Sequence, residues 1–391
     1  MGFFEEAKYI IKQNIREYGM YIALAVIMII FTISTGGLFI SSRNISNLIN
    51  QTGYIAVLAV GMTLVIVIRH IDLSVGFLAG FLGAIAAILL TRTGVPVFLT
   101  VIIVLVMGLL IGLFNGYLIA NVGIPAFVAT LAGMLVFRGA LLLVTEGTGT
   151  IIIPNKSFNA IGNGYIPDIA NIPGVHLLTL ILGILAIGFY IWSEFNTRQN
   201  KLKYNFEVLS LKMFVAKIIF VSLIMGYITW ILSGYNGLSW TIVIVIIVVA
   251  IYHIITTKTS LGRHIYAVGG NPEAAKLSGI DVSKITLVVF GSMGALAALS
   301  GILYTARLQS ATTTAGTLFE LDAIAAAYVG GVSAAGGVGK VTGSIVGALV
   351  MASLINGMNL LGVGISYQYI IRGAVLAAAV IFDVKTRNKR K

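Results

Sequence analysis

The sequence predicts an all-α polytopic membrane protein. Of its 391 residues, 58% are hydrophobic and only 10% are charged, whereas soluble domains carry about 25% charged residues. The mean hydropathy of +1.02 also excludes a disordered chain, because disorder requires low hydrophobicity. A helix needs about 20 apolar residues to span a bilayer, so the length allows about a dozen helices. We therefore expect a single transmembrane domain over 1–391, with no room for a separate catalytic domain.

Apolar runs predict about 12 helical segments along the chain. They cover 20–40, 53–68, 75–90, 95–120, 125–145, 175–193, 213–232, 240–256, 284–306, 319–331, 341–361 and 367–382. The run at 319–331 is too short to cross a bilayer and is predicted to be a half-helix within the bundle. Ahead of the first run, residues 1–19 repeat apolar side chains at helical spacing, with lysine and arginine off that stripe. This pattern favours an interfacial amphipathic helix that contacts membrane lipid, the alternative being a disordered tail.

The distribution of basic residues predicts the orientation. The chain has 25 Lys and Arg against 13 Asp and Glu, which in a soluble domain would suggest nucleic acid. In membrane proteins, however, Lys and Arg collect on cytoplasmic loops. They concentrate here in 1–19, 194–212, 257–283 and 383–391, so both termini are predicted to be cytoplasmic and no nucleic-acid partner is expected. The longest external segment, 146–174, is rich in Pro and Gly and is predicted to be an ordered or semi-ordered cap.

The residue types exclude several kinds of chemistry. There are no cysteines and only four scattered histidines, so no metal site or cofactor is predicted. A phosphate-binding loop ending at Gly339-Lys340 would need Gly at 334 and Ser or Thr at 341, where Ala334 and Val341 stand. Both requirements fail, so ATP chemistry would have to come from another subunit. No Ser-His-Asp grouping or paired-carboxylate motif is present for an enzyme.

A short segment of the cytoplasmic loop 257–283 carries the strongest local signal. Asn271 suits an N-cap, Pro272 the first helical position and Glu273 the positive end of the helix dipole. Gly279 suits the C′ position. The helix itself would include Ala274, Ala275 and Leu277. A helix so short is marginal alone in water, so its capping predicts either a rigid docking surface or a connector without a partner.

Arg69 and Asp72 interrupt a long apolar stretch. A charge at the bilayer centre costs about 2.5–3.5 kcal/mol on insertion scales. We expect the two side chains to pair and hold a re-entrant turn between two short helices, with direct substrate contact by Asp72 as the alternative. Two further arginines, Arg138 and Arg372, lie within predicted spans and are expected to face the bundle interior or to snorkel.

Glycine is abundant, with 45 residues, and many are spaced by three or four, as in closely packed membrane helices. Gly108, Gly112 and Gly116 form one such stripe, and Gly343 with Gly347 another. The segment from Gly330 to Gly343 is instead predicted to be irregular. Such backbone is tolerated at membrane depth only when it is buried in protein or lines a cavity. Within it, Gly336 and Gly337 are assigned to a structural turn.

A faint internal repeat is also present. Phe114-Asn115-Gly116 resembles Ile355-Asn356-Gly357 at an offset of 241 residues. The predicted orientation has the first helix running inward and the second outward, which is typical of an inverted repeat. Asn115 and Asn356 would then occupy equivalent places. Each amide offers a donor and an acceptor, which could serve a sugar hydroxyl on a substrate path or bridge two helices.

Several longer stretches resemble the permease subunits of bacterial ABC sugar importers, in the branched-chain amino acid, ribose and xylose permease family. The stretches are Gly61-Met-Thr with Ile71-Asp-Leu-Ser-Val-Gly76, Pro125-Ala-Phe-Val-Ala-Thr-Leu131, and Gly269-Gly-Asn-Pro-Glu-Ala-Ala-Lys-Leu-Ser-Gly-Ile280. The xylose-type permeases are the most similar, since they share an extra pair of spans around a basic loop, here Arg198 to Val208. One departure is Arg69-His70, where ribose-type relatives usually have glycines.

The resemblance implies a multi-pass subunit of the bacterial cytoplasmic membrane that imports a monosaccharide, D-xylose or another pentose. It also implies a homodimer with a second permease copy, a separate ATPase subunit docked at 271–280, and an extracytoplasmic sugar-binding protein. The alternative is an ion-coupled secondary transporter of a small polar solute, which needs intramembrane carboxylates. Only Asp72 and Asp322 are candidates for that role. A membrane-embedded enzyme is the third class.

Overall fold

The computed structural model of the chain describes residues 15–147 and 149–388, of which 15–18, 171 and 386–388 are described by their backbone alone. Within this part of the chain, nine helices are long and apolar enough to cross a membrane, and two further apolar helices are shorter. These helices confirm the predicted all-α polytopic class. Most of the predicted amphipathic helix 1–19 lies outside the described residues.

The described residues form fifteen α-helices, and the predicted runs coincide with twelve of them. The helices are α1 (Ile15–Ser34), α2 (Ser42–Val67), α3 (Val75–Thr91), α4 (Val97–Ala120), α5 (Ala126–Val144), α6 (Lys156–Asn163), α7 (Leu177–Lys203), α8 (Leu211–Ser233), α9 (Trp240–Lys258), α10 (Ser260–Gly270), α11 (Pro272–Leu277), α12 (Val282–Leu308), α13 (Phe319–Val329), α14 (Val341–Leu360) and α15 (Ile365–Asn388). Helix α13 is the predicted half-helix.

In the described chain, the only strands are four short ones, of two or three residues each, in the connections between helices. They are β1 (Thr150–Ile152), β2 (Asn171–Ile172), β3 (Val175–His176) and β4 (Ser310–Thr312). β1 pairs antiparallel with β4, and β2 pairs with β3. Together with α6, β1 and β2 give regular structure to part of the segment 146–174, and its role as an external cap stays a prediction.

Helices α2, α7 and α15 extend well beyond the predicted runs, α15 by ending at Asn388 instead of 382. α2 begins at Ser42 instead of 53, because the Ser41 hydroxyl accepts a hydrogen bond from the Asn44 N–H at 3.4 Å and caps a polar first part. α2 therefore has 26 residues, and the prediction that both helices beside the Arg69 turn are short is wrong for α2. α7 continues to Lys203, so the predicted basic loop 194–212 is helical over half its length. Its Lys, Arg, Gln and Leu residues favour helix even where the chain leaves the membrane.

α2 and α12 form the centre of the bundle. Most of their apolar length is buried inside the protein, whereas only a small part of the apolar length of α7, α8 and α9 is buried. α12 lies against α4 at a close crossing where Gly294 meets the backbone of Gly108 and Gly112. The predicted glycine stripe on α4 is therefore a packing surface, as expected for membrane helices.

The inverted repeat extends over four consecutive helices. Shifting α2 by 241 residues places it on 283–308, which is α12, and the same shift maps α3, α4 and α5 onto α13, α14 and α15. The packing repeats as well, because α4 contacts α12 while α14 contacts α2. In the predicted topology six membrane crossings lie between α2 and α12. Because this number is even, α2 and α12 cross the membrane in opposite directions, and so do the two halves. This architecture is typical of transporters.

The starts of α3 and α13 meet where the two halves cross. A Cβ added to Gly76 would approach the Gly316 carbonyl oxygen and the Glu320 carboxylate, and one added to Gly316 would overlap the Gly76 carbonyl. Gly76 maps onto residue 317 in the repeat, so this contact lies beside the pseudo-twofold axis. Only glycine permits such a close approach of two backbones.

Candidate functional site

The predicted docking helix is present as α11 at the predicted residues. The Asn271 side chain accepts hydrogen bonds from the backbone N–H groups of Glu273 and Ala274 at 3.0 and 3.1 Å. Pro272 occupies the first turn, and Gly279 adopts a φ of 82° just beyond the helix. Both ends of α11 are therefore stabilised locally, as the sequence indicated.

α11 presents an exposed surface at the end of the bundle that is predicted to be cytoplasmic. Ala275 is buried and anchors the helix on the bundle, whereas Leu277 is 90% exposed. Glu273 and Lys276 are also exposed. An apolar side chain flanked by opposite charges is a combination suited to a protein partner, because its burial would remove apolar surface from water. The docking role itself remains a prediction.

Arg69 connects the α10–α11 segment to the end of α2. Its Nε donates to the Gly269 carbonyl at 2.7 Å, and its terminal nitrogen donates to the Gly270 carbonyl. These carbonyls belong to the last turn of α10, where a helix has unsatisfied acceptors and partial negative charge. Arg69 has a φ of 68°, so the chain turns back sharply as it leaves α2.

The predicted Arg69–Asp72 ion pair is wrong. Arg69 bonds to Gly269 and Gly270, while Asp72 is 3% exposed and accepts from the N–H and hydroxyl of Ser74 at 2.9 and 2.6 Å. Asp72 thus terminates the turn by capping the start of α3, and Arg69 fixes the turn to α10. Both residues belong to the turn, but each has a different partner.

The glycine segment before α14 joins the same place. Gly337 donates its N–H to the Val67 carbonyl at 2.8 Å, with positive φ at both Gly336 and Gly337. Tyr266 on α10 donates its hydroxyl to the Gly339 carbonyl at 2.6 Å. The segment is irregular, as predicted, and it is only partly buried, since Gly336 and Gly337 are half-buried and Val338 is exposed. We call the contact of these three segments, 66–70, 266–271 and 333–339, the cytoplasmic junction.

Two residues that hold the junction together were not predicted from the sequence. The hydroxyl of Tyr266 binds the glycine segment, and Asp383 on α15 accepts from the Ser333 hydroxyl and the Ala334 N–H at 3.2 and 3.1 Å. A lone acidic residue near the end of the last span was the available hint for Asp383. The junction therefore links α2, α10, α15 and the segment leading into α14.

The two repeat-related asparagines bridge helices. Asn115 is 4% exposed and donates to the Ser74 hydroxyl at 3.3 Å. Asn356 and Asn44 exchange two side-chain hydrogen bonds, at 2.9 and 3.1 Å. Their helices are equivalent in the repeat, but their partners are not. Of the two roles considered, these contacts favour the bridge between helices.

The external cap is fixed to the opposite end of α2. The Tyr165 hydroxyl lies within hydrogen-bond distance of Ser46 and Asn50, and the Ser239 hydroxyl donates to the Asn50 side chain. Further out, Asp168 accepts from the N–H groups that begin α7, those of Leu177 and Leu178, each at 2.8 Å. Desolvation acts to raise the pKa of Asp168. These hydrogen bonds and the nearby His176 lower it further than that, so the pKa lies below its usual range.

Over the described ranges, no group of three or more His, Asp or Glu side chains is placed to hold a metal ion. Carboxylates buried at membrane depth do occur, at Asp72, Glu320 and Asp322. Asp322 lies 3.5 Å from Arg372.

Comparison with known proteins agrees with this architecture. A family model described as branched-chain amino acid transport system / permease component matches residues 44–380. The chain is 42% identical over 379 residues to the xylose transport system permease protein XylH of Haemophilus influenzae, covering 97% of this chain and 98% of that one.

Two further relatives extend over most of the chain. The Escherichia coli xylose transport system permease protein XylH is 39% identical, covering 96% of this chain and 93% of its own. The Escherichia coli ribose import permease protein RbsC is 36% identical, covering 97% of each. No solved structure matches the chain. These similarities show that the chain belongs to the branched-chain amino acid transport system permease family.

Proposed function

We propose that this chain is the membrane-spanning permease subunit of an ATP-binding-cassette importer that moves a monosaccharide, D-xylose or another pentose, into the cytoplasm. The observation that carries the proposal is full-length similarity to xylose permeases combined with a capped, exposed helix at the basic end of the bundle. The basic end faces the cytoplasm, and the subunit lies in the bacterial cell membrane. The whole chain, 1–391, acts as one permease domain.

The proposed partner at α11 is a cytoplasmic ATPase subunit. Leu277 would enter an apolar pocket, with Glu273 and Lys276 at its rim. Because Arg69 and Tyr266 tie α10 to α2 and to the glycine segment, movement of α11 would reach both halves of the repeat through the cytoplasmic junction. ATP binding and hydrolysis would thereby alternate the permease between inward-facing and outward-facing states.

The other proposed partners are a second permease copy and an extracytoplasmic sugar-binding protein at the external cap. The sugar would pass between the two permease copies. Asp72, Asn115 and Asn356 would contribute to the path by holding the helices that form it, since each side chain already bonds within the chain. Sugar selectivity would rest chiefly with the binding protein.

Reconstitution tests the proposed function. The permease, its ATPase and its binding protein, placed in proteoliposomes, should take up radiolabelled D-xylose only when ATP is supplied, and an ionophore should leave the rate unchanged. Uptake without ATP that collapses with the ionophore would instead establish the ion-coupled transporter. A panel of D-xylose, L-arabinose and D-ribose would rank the pentoses.

Exchange of one charge tests the docking role of α11. Glu273→Arg should abolish co-purification with the ATPase while the detergent-solubilised permease remains monodisperse. The matched control is Glu207→Arg, an exposed glutamate in the cytoplasmic loop between α7 and α8. Equal recovery of the ATPase with both variants would refute docking at α11.

A further inference from the structure

The helices α7 and α8 form a hairpin that packs mainly on itself. A Cβ added to Gly183 of α7 would overlap the Thr229 side chain of α8, and the Glu194 carboxylate accepts from the Lys217 ammonium at 2.8 Å. Outside the pair, the main contacts of the hairpin are with α2 and β3. Only a small part of the apolar length of either helix is buried, so their outer faces are exposed to the surrounding membrane.

The two helices are joined by residues 198–212, which we call the hairpin turn. Arg198 donates from Nη1 to the Leu209 carbonyl at 2.6 Å, and its guanidinium lies over the Phe214 ring of α8, 4.7 Å from the centroid. The Ser210 hydroxyl caps the start of α8 by accepting from a backbone N–H of its first turn at 3.3 Å. The backbone of the hairpin turn is therefore held in place at both of its ends.

The hairpin turn carries an excess of positive charge. It contains four Lys and Arg residues and one Glu, so its net charge is +3. Lys201, Lys203 and Lys212 are exposed, and none of the three forms an ion pair with another side chain of the described residues. Their ammonium groups can therefore bind an anion from outside the chain.

The lengths of the two helices place these charges at the inner surface of the bilayer. At 1.5 Å per residue, Arg198 lies about 32 Å from the external start of α7, and Lys212 lies about 32 Å from the external end of α8. The hydrocarbon core is about 30 Å thick, and the headgroup layers bring the bilayer to about 40–45 Å. Lys201, about 36 Å from the start of α7, therefore lies at the level of the cytoplasmic headgroups.

Aromatic rings are exposed on the same turn. Tyr204 is 68% exposed and Phe206 is 66% exposed, and both follow directly on the end of α7. The orientation of a membrane protein requires only the basic residues of its cytoplasmic segments, so the exposed rings need an explanation of their own. An anionic bilayer surface offers apolar and negatively charged groups together, which suits rings and lysines on one segment.

We propose that the hairpin turn is a binding site for the headgroups of anionic phospholipids in the cytoplasmic leaflet. The three exposed lysines bind the lipid phosphates, since basic segments beside a span are attracted to the negative surface of this leaflet. The two exposed rings enter the headgroup layer beside them. Bound lipid adds an attachment for a hairpin that otherwise contacts the bundle mainly at α2 and β3. The site does not depend on which sugar is carried.

Lipid enrichment at the hairpin turn can be measured with a single label, because the chain has no native cysteine. A fluorophore is attached to Gln199→Cys, an exposed position near the end of α7, and the full chain is placed in nanodiscs. Brominated phosphatidylglycerol and brominated phosphatidylcholine are compared as quenchers at equal mole fraction. Phosphatidylglycerol should quench at least threefold more effectively, since it is concentrated at the turn. Equal quenching by the two lipids would overturn the proposal.

Removal of charge separates a local site from the general charge of the cytoplasmic face. A labelled triple variant, with the three exposed lysines of the hairpin turn changed to glutamine, should be quenched equally by the two lipids. The matched control changes three other exposed basic residues at the cytoplasmic end to glutamine, namely Lys258, Arg263 and Lys284. It loses the same charge and should keep the preference for phosphatidylglycerol. The same loss of preference in both variants would overturn a site at the hairpin turn.

Two further measurements distinguish lipid from other partners. Inorganic phosphate added at constant ionic strength should leave the quenching preference unchanged, and its loss would assign the turn to a soluble anion and overturn the lipid site. The ATPase should co-purify equally with the triple variant and with the wild type, because its proposed contact is α11. Loss of the ATPase with an unchanged quenching preference would assign the lysines to that subunit and overturn their role in lipid binding. Quenching is measured on the permease alone, so its outcome is independent of the proposed sugar.

Discussion

Replacing Arg69 with methionine should uncouple ATP hydrolysis from sugar movement. Methionine preserves the apolar stem that packs against Gly336 but removes both hydrogen bonds, to the Gly269 and Gly270 carbonyls. Each hydrogen bond has a net value of about 0.5–1.5 kcal/mol, so the junction loses about 1–3 kcal/mol of stabilisation. The higher value for bonds to charged groups is not used, because Arg69 is exposed. A coupling free energy of about 1–3 kcal/mol corresponds to about a 5- to 150-fold change in linkage between two sites.

The assay is the ratio of ATP hydrolysed to D-xylose accumulated in proteoliposomes. For Arg69→Met we expect this ratio to rise by at least fivefold, with ATPase co-purification unchanged because α11 keeps its own caps. The ratio for Arg69→Lys should lie between the ratios of the wild type and Arg69→Met, since one ammonium reaches fewer carbonyls than the guanidinium fork. Arg92→Met, at the opposite end of the bundle, should behave as wild type. A wild-type ratio in Arg69→Met would refute transmission through the junction.

Three further predictions concern single positions. Gly269→Ala should lower the unfolding temperature in detergent, because its Cβ would overlap the Val67 carbonyl. Gly270→Ala is the control, since a Cβ there meets open space and should leave the unfolding temperature unchanged. Equal unfolding temperatures for the two variants would contradict the close packing of Gly269 on Val67. Because the pKa of Asp168 is lowered in the folded cap, its stabilisation is complete at neutral pH and lost as pH falls below about 4; limited proteolysis of the cap should show this acid sensitivity reduced in Asp168→Asn. Leu277→Asp should weaken ATPase binding at least tenfold in a titration, and unchanged affinity would contradict burial of this side chain.

The features predicted correctly from sequence depend on local composition. Apolar runs identify the spans because each must satisfy its own backbone within lipid, and the boundaries of α4, α5 and α14 agree within two residues. The caps of α11 were predictable because Asn271, Pro272 and Gly279 act on neighbouring backbone groups. The half-helix α13 was evident from its length alone.

The inverted repeat was only partly visible in the sequence. Three residues around Asn115 and three around Asn356 suggested it, but the correspondence of α2 with α12 follows from helix positions and packing. Sequence similarity between the halves is low because the bilayer accepts many apolar residues at a given position. The polar start of α2 was missed for a related reason, since its Ser and Asn side chains bond to a cap that lies more than a hundred residues away.

By itself, the sequence determined that this protein is a bundle of membrane helices with its basic end in the cytoplasm and a capped helix on that side. Hydropathy, charge and capping act over a few residues, so they can be read along the chain. The tertiary structure alone decided that Arg69 binds the end of α10 instead of Asp72, that Asn356 bonds Asn44, and that the Arg138 guanidinium lies over the Phe77 ring. Each of these depends on which segments fold against one another, and a charged or amide side chain can satisfy its hydrogen bonds with many partners until that packing is known.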